Sequence, residues 1–298
     1  MSTLITCTSS TRPGSPSAGD TLFETDTNKV IVYSGTAWKE YQDNGQLYND
    51  SDITGLSPKF WLDGANGDFY EDSAKTTSVS NRTDFVGCWA DRSGNSFDFT
   101  QTNNTLKPNI VTNVGRVNNT GLIYSADHLV FTGNASSDTS GDQTLFMALM
   151  WNKGIDGMYF IQTSDSSTRG RIITVSGEWS VQFLPYVGSP TFGTSYSSDN
   201  TAKIMDGICL LAVRLDSTAN TTKIYLNGGS AQGSTTAGSG SFLKNGITTE
   251  LFDNSTGLED PCILLDTIFF DSALSNSNMD TVYSYLSKKY GTTVTSIS

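Results

Sequence analysis

Residues 143–151 read Gln143-Thr144-Leu145-Phe146-Met147-Ala148-Leu149-Met150-Trp151, and seven of these nine are apolar. A run of that length, apolar at odd and even positions alike, fits a central strand covered on both faces. Cys262–Phe270 (CILLDTIFF) has the same character. Between them lie shorter segments bounded by turn residues: Met158–Gln162, Arg171–Val175 and Trp179–Phe183. Gly207–Leu215 reads as a further strand and Asp216–Thr221 as a loop. Thr222–Leu226 is then the hairpin partner, ending at Asn227-Gly228-Gly229. Regularly spaced short strands around apolar runs predict an all-β fold, a two-sheet sandwich.

Two segments flank this pattern. At the C-terminal end Met279, Val282, Tyr283, Leu286 and Tyr290 recur at helical spacing. Ser275 is placed to cap the start, Lys288 and Lys289 fall in the last turn, and Gly291 suits a left-handed stop. One C-terminal helix is therefore expected. At the other end, residues 1–19 are rich in Ser, Thr, Pro and Gly and read as an extended or turn segment. Thr21–Thr25, Lys29–Tyr33 and Trp38–Tyr41 follow as a small β-meander. Three short strands cannot bury a core alone, so this unit needs a partner. Residues 46–56, within the polar stretch QDNGQLYNDSDITGL, read as a linker. The partner is the main domain, a symmetry mate or a larger assembly, and the linker reading favours the last two. That reading divides the chain into 1–45, 46–56 and 57–298, the last being the sandwich.

Composition excludes several functions. The chain has 298 residues, 18 Lys+Arg, 30 Asp+Glu and one His, for a formal net charge of −12. No basic cluster relieves that charge, so a phosphate backbone would be repelled and no nucleic acid is expected as partner. A lone His128 excludes multi-His metal centres. No apolar run reaches the roughly 18 residues that cross a bilayer, so no membrane insertion is expected. MSTLITCTSS has no basic-then-apolar leader pattern, and the four Cys (Cys7, Cys88, Cys209, Cys262) form no close pair. Free thiols in a reducing compartment follow. Ser, Thr and Asn make up 99 of the 298 residues, which suits a polar, turn-rich surface.

Several segments resemble known families. Phe60-Trp61-Leu62-Asp63, then Val86-Gly87-Cys88-Trp89-Ala90-Asp91-Arg92-Ser93-Gly94-Asn95, Lys107-Pro108 and Leu129-Val130-Phe131-Thr132-Gly133 are similar to the entry pattern of the laminin-G-like, concanavalin A-like lectin/glucanase superfamily. Lys223-Ile224-Tyr225-Leu226-Asn227-Gly228 resembles its "Y-x-N-G" hairpin. Ala273-Leu274-Ser275 leading to Tyr285-Leu286-Ser287-Lys288-Lys289-Tyr290 resembles its closing helix. In order, these cover about 230 residues and imply a jelly-roll sandwich of two antiparallel sheets. Arg12-Pro13-Gly14-Ser15-Pro16, Gly19-Asp20, Phe23-Glu24-Thr25-Asp26-Thr27 and Tyr33-Ser34-Gly35-Thr36-Ala37-Trp38 resemble a short N-terminal module of tailed-bacteriophage fibres and virion appendages.

Candidate chemistry divides unevenly. Retaining glucanases of the resembled superfamily place two carboxylates about 5–5.5 Å apart on one strand face. Here the six Glu are Glu24, Glu40, Glu71, Glu178, Glu250 and Glu259, with no two at that spacing, and Glu259-Asp260 would point to opposite faces. His128, just before an entry strand, reads as a hydrogen-bonded structural residue. No enzyme activity is expected. Asp91, Asn95 and Asp98 around Ser93-Gly94 could hold Ca²⁺ through hard oxygens, although Asp-x-Ser-Gly-Asn is also ordinary turn chemistry; no other cofactor is implied. Tyr186, Phe192 and Tyr196 are the candidate glycan-facing aromatics, with Trp179 and Phe183 assigned to the core. Phe23, Val32, Tyr33 and Trp38 are the candidate assembly and docking residues. The expected protein is a non-enzymatic phage virion component, of capsid or tail, assembled in a host cytoplasm. Residues 1–45 would bind other virion proteins, the chain would pair with itself as a trimer, and the sandwich would meet surface glycans. A secreted or cell-surface carbohydrate-binding module is the alternative.

Overall fold

The computed structural model of the chain describes residues 5–27, 29–41, 47–66, 68–79, 81, 84–114, 119–124, 127–134, 141–151, 157–163, 168–175, 178–185, 207–231, 233–236, 243, 245–253 and 262–298. In chain order the strands begin with β1 (Ile5–Cys7), β2 (Thr21–Glu24), β3 (Lys29–Tyr33), β4 (Trp38–Tyr41) and β5 (Leu47–Tyr48), followed by the helical turn α1 (Ser51–Thr54). Next come β6 (Phe60–Asp63), β7 (Phe69–Tyr70), β8 (Cys88–Trp89), β9 (Phe99–Thr100), β10 (Asn109–Val114), β11 (Asn119–Tyr124) and β12 (Leu129–Thr132). The last group is β13 (Gln143–Trp151), β14 (Gly157–Thr163), β15 (Thr168–Val175), β16 (Glu178–Pro185), β17 (Ile208–Asp216), β18 (Thr221–Leu226), β19 (Gly233–Thr236), β20 (Thr248–Asp253) and β21 (Cys262–Phe270), with helix α2 (Asn276–Tyr290) closing the chain.

The protein is all-β, with one substantial helix at its C-terminal end. A five-stranded sheet runs β1-β2-β3-β4-β5. One eight-stranded sheet is ordered β10-β11-β21-β13-β17-β18-β19, with β6 also pairing with β21. The other is ordered β16-β15-β14-β20-β12-β9-β8-β7. Every pairing within the two large sheets is antiparallel.

The run at 143–151 is continuously apolar because β13 is central and each of its faces has its own core. Leu145, Met147 and Leu149 join Phe60, Trp89, Phe99, Phe131 and Leu251 in the layer between the two large sheets. Phe146 and Ala148 point the other way, into a second cluster with Tyr225, Ile268, Met279, Val282, Tyr283 and Leu286. Thus α2 covers the outer face of the first large sheet, and three layers stack as sheet, sheet, helix. Residues of α2 alternate between this cluster and solvent as the 3.6-residue period requires. The Ser275 side chain accepts from Asn278 N at 3.2 Å at its start, and Gly291 closes it with φ 67°.

The structure corrects several sequence expectations. The Gly/Ser/Thr-rich stretch after the Asn227-Gly228-Gly229 turn, which offers no strand pattern, contains β19, which adds an edge strand to β18; four Ser/Thr/Gly residues carry no apolar signal, yet their backbone completes the ladder. Residues 1–19 contain β1, which pairs with β2 in parallel, so the meander is a mixed five-stranded sheet. Residues 46–56 contain β5 and α1 rather than irregular linker, with Tyr48 and Ile53 buried. Consequently the N-terminal sheet finds a partner within its own chain. Tyr48 packs edge-on against Tyr285 of α2 at 5.2 Å, and Lys29 Nζ donates to Asn66 Oδ1 at 3.2 Å. Cys88, Cys209 and Cys262 are buried and Cys7 is half-buried, none of them in a disulfide. His128 sits immediately before β12, its backbone bonded to Leu106 and Gln101.

Candidate functional site

Strand alternation sorts the N-terminal residues into two faces. Leu22 pairs with Ile31, and Tyr33 pairs with Trp38, so these four share the inner face with buried Glu24. Phe23 pairs with Val30 and Thr21 with Val32, which puts Phe23, Val30 and Val32 on the outer face. The four expected docking residues therefore do not form one patch. Phe23 and Val32 face outward, half-buried, whereas Tyr33 and Trp38 turn inward, with ring centroids 5.3 Å apart.

The inward turn of Trp38 creates a cleft. It measures about 160 Å³ and is lined by Arg12, Glu24, Thr27, Lys29, Ile31, Trp38, Tyr48, Asn49 and Asp50. Glu24 forms its floor, and its carboxylate accepts from Arg12 Nε and, at 2.8 Å, from Thr27 Oγ1. That bond to Glu24 holds the Arg12 guanidinium more firmly protonated than usual. Asp50 closes the opposite wall, accepting from Arg92 Nη2 at 2.9 Å and from Tyr285 OH at 3.0 Å. Asn49 Oδ1 accepts from Ser51 N at 3.3 Å.

Beneath Asp50 the polar wall continues into a buried ion network. Asp63 on β6 lies directly opposite Asp266 on β21, both fully buried and on the helix-facing side. Two like charges at such a cross-strand position repel. Lys289 of α2, itself fully buried, answers both, with Nζ 2.6 Å from Asp63 and 2.8 Å from Asp266. Arg92 bridges Asp63 to Asp50 and stacks over the Trp61 ring at 4.7 Å. Burial opposes the Asp63 charge, but Lys289 and Arg92 outweigh it and hold the group down at about 2. For Asp266 burial wins: even with Lys289 beside it, Asp63 nearby adds to the burial and the value is pushed up to about 7. Tyr290 OH donates to Asp266 Oδ2 at 2.6 Å, while Asp266 Oδ1 has no partner. Shut off from solvent, this pair fastens α2 to the sheet and cannot meet a substrate.

The sequence-predicted calcium residues do come together. Asp91 Oδ1 accepts from Trp61 N and Ser93 N, and Asp91 Oδ2 accepts from Ser93 Oγ and Phe97 N. Asp98 accepts from Asp91 N and pairs with Lys75, while Asn95 Nδ2 donates to Pro58 O and Lys59 O. These contacts make a turn that clasps β6. Among the described residues no group of three or more His, Cys, Asp or Glu is arranged to hold a metal ion. Tyr186, Phe192 and Tyr196 lie outside the described residues, as do Glu259 and Asp260 and the side chains of Trp179 and Phe183. Sequence reasoning missed Arg12, Lys29, Asn49 and Asp50, because they sit in turns and strand ends far apart in the chain. It also missed Lys289, although its place among Val282, Tyr283 and Leu286 on the apolar face was a readable signal.

No protein-family model and no curated protein matches the sequence. Among solved structures the chain is similar to one described as a receptor binding domain, with TM-score 0.51 and 12% identity over 79% of this chain and 53% of that one. The HCR/D W1238A mutant gives TM-score 0.50 and 12% identity, covering 78% of this chain and 52% of its own. A binding domain of botulinum neurotoxin serotype D/C follows at TM-score 0.48 and 13% identity, too distant to carry an argument. This chain spans about half the length of those structures. At such identity the shared property is the β-rich fold alone. Among the described residues no helix is long and apolar enough to cross a membrane.

Proposed function

We propose that this chain is a non-enzymatic structural protein of a tailed-phage virion, a capsid decoration, fibre or tail-fibre component that displays a lectin-like sandwich for weak adhesion to surface glycans. The observation that carries the reading is the two-faced N-terminal sheet. Its inner face is turned toward its own chain and meets it through Tyr48 and Lys29, while the outer face keeps an apolar row of Phe23, Val30 and Val32. Such a row on a rigid, tethered sheet is a surface that an assembly partner would cover. Other virion proteins are the partners we assign to it, with self-association as a trimer, after assembly in a host cytoplasm. The acidic, Ser/Thr/Asn-rich exterior suits crowded display.

The test uses the full chain. Phe23→Asp and Val32→Asp together should abolish incorporation into particles while leaving the fold intact by circular dichroism. Normal incorporation of that variant sinks the attachment role. The second reading, a secreted or cell-surface carbohydrate-binding module, draws on the likeness to a receptor binding domain. A glycan array separates the two: specific glycan recognition by residues 46–298 with no effect of the outer-face changes on any assembly favours it.

A further inference from the structure

The inward-facing cleft has the chemistry of a ligand site that the attachment reading does not use. Its aromatic wall is Trp38, steadied by Tyr33 across the strand pair and so presented at a fixed angle. A flat indole face accepts the apolar C–H face of a sugar ring, and its stiffness keeps the entropic cost of binding low. The polar walls are unusually directional. Glu24 holds Arg12 by Nε, and among the described residues neither Nη group of this partly exposed side chain has a protein partner. A guanidinium anchored at one edge offers its other edge as a fork that matches a carboxylate. Lys29 adds a second positive charge to the lining, and Asn49 Nδ2, with no protein acceptor among the described residues, adds a neutral donor. The two acids of the cleft are both engaged by cations, Glu24 by Arg12 and Asp50 by Arg92. In a chain of net charge −12, this is a place where a single negative group meets donors rather than repulsion. The size sets the rest. An enclosed apolar cavity of about 150 Å³ holds a benzene ring; the cleft, about 160 Å³ and open to solvent, takes one ring with its substituents directed outward.

From this geometry we infer that the cleft between the N-terminal sheet and the sandwich binds one sugar ring bearing a carboxylate, such as a hexuronic acid at a glycan terminus. The ring stacks on Trp38, the carboxylate meets the Arg12 fork, and Asn49 donates to a ring hydroxyl. The ligand class agrees with the glycan reading above, and the residues that line the cleft do not include Tyr186, Phe192 or Tyr196.

The experiment titrates the full chain with methyl β-D-glucuronide and with methyl β-D-glucoside, followed by ligand-observed saturation-transfer NMR. The glucuronide should bind saturably and at least tenfold more tightly than the glucoside. Trp38→Leu, which keeps apolar bulk but removes the flat face, should weaken it at least tenfold. Arg12→Lys keeps a cation for buried Glu24 but loses the fork, and should erase the preference for the acid; it serves also if Trp38→Leu disturbs the sheet. Absence of saturable binding overturns the proposal, as does equal binding of the two glycosides. Glycan binding that survives both substitutions but is lost on changing Tyr186, Phe192 and Tyr196 overturns this site alone and leaves the adhesion role standing.

Discussion

Asp266 is a charge placed in the middle of an apolar strand, and its consequences are worked out by its immediate neighbours. Asp63, Lys289, Tyr290 and, one step further, Arg92 surround it. Its ordinary value is 3.8 and its folded value about 7, so the folded chain holds this proton through a range where the unfolded chain has released it. Stability from this group is therefore full below about pH 4 and falls as pH rises toward 7. Asp63, held at about 2, works oppositely: its contribution is present above pH 4 and disappears only in strong acid. Between pH 5 and 8 the Asp266 effect remains. Thermal unfolding midpoints of the wild type should drop over that interval. Asp266→Asn keeps the size and an acceptor for Tyr290 and Lys289, and its profile should be flatter, with a gain over wild type at pH 8. Parallel pH profiles for the two proteins would show that the charge at 266 does not matter.

At the scale of elements, α2 illustrates how a local signal and a tertiary fact combine. Its start is set by Ser275, whose hydroxyl satisfies Asn278 N, and its end by left-handed Gly291. Neither device needs the rest of the molecule, and both were legible beforehand. Replacing Ser275 with Ala should cost about 1 kcal/mol by chemical denaturation; a loss below roughly 0.3 kcal/mol would mean that packing against Phe146 and Tyr225 alone sets the helix start. The helical period was legible too, but Lys289 within it reads as an ordinary last-turn cation. Its role as the counter-charge to two aligned Asp depends on β6 and β21 pairing in one register. β19 is the complementary case. Its Gly-Ser-Thr-Thr sequence has no pattern of its own, and it becomes a strand because β18 offers an unpaired edge.

For the whole molecule, the informative boundary is the short passage from the N-terminal sheet to the sandwich. Tyr48, Asp50 and Ile53 are anchored to α2 and Arg92, so they belong energetically to the sandwich as much as to the sheet before it. Removal of residues 1–45 leaves those anchors in place, and the remaining chain should unfold at nearly the temperature of the full protein. Removal of residues 1–56 takes away the Asp50 partner of Arg92 and the buried Ile53, and should lower the midpoint by several degrees. Equal midpoints for the two truncations, read by differential scanning calorimetry, would contradict this division.

The order of apolar runs, turn residues and helix caps was enough to specify an all-β chain closed by one helix, because strand and helix periods are local properties of the sequence. It also fixed which strands are central, since QTLFMALMW and CILLDTIFF leave no polar face to expose. What tertiary structure alone decided was pairing across distance. Whether Asp63 meets Asp266, whether Tyr33 and Trp38 turn inward while Phe23 and Val32 turn outward, and whether Arg12 reaches Glu24 beside Asp50 all depend on register and packing between segments that share no local code. A one-residue change of register would exchange the two faces of the N-terminal sheet, moving Trp38 out of the cleft and Phe23 into it.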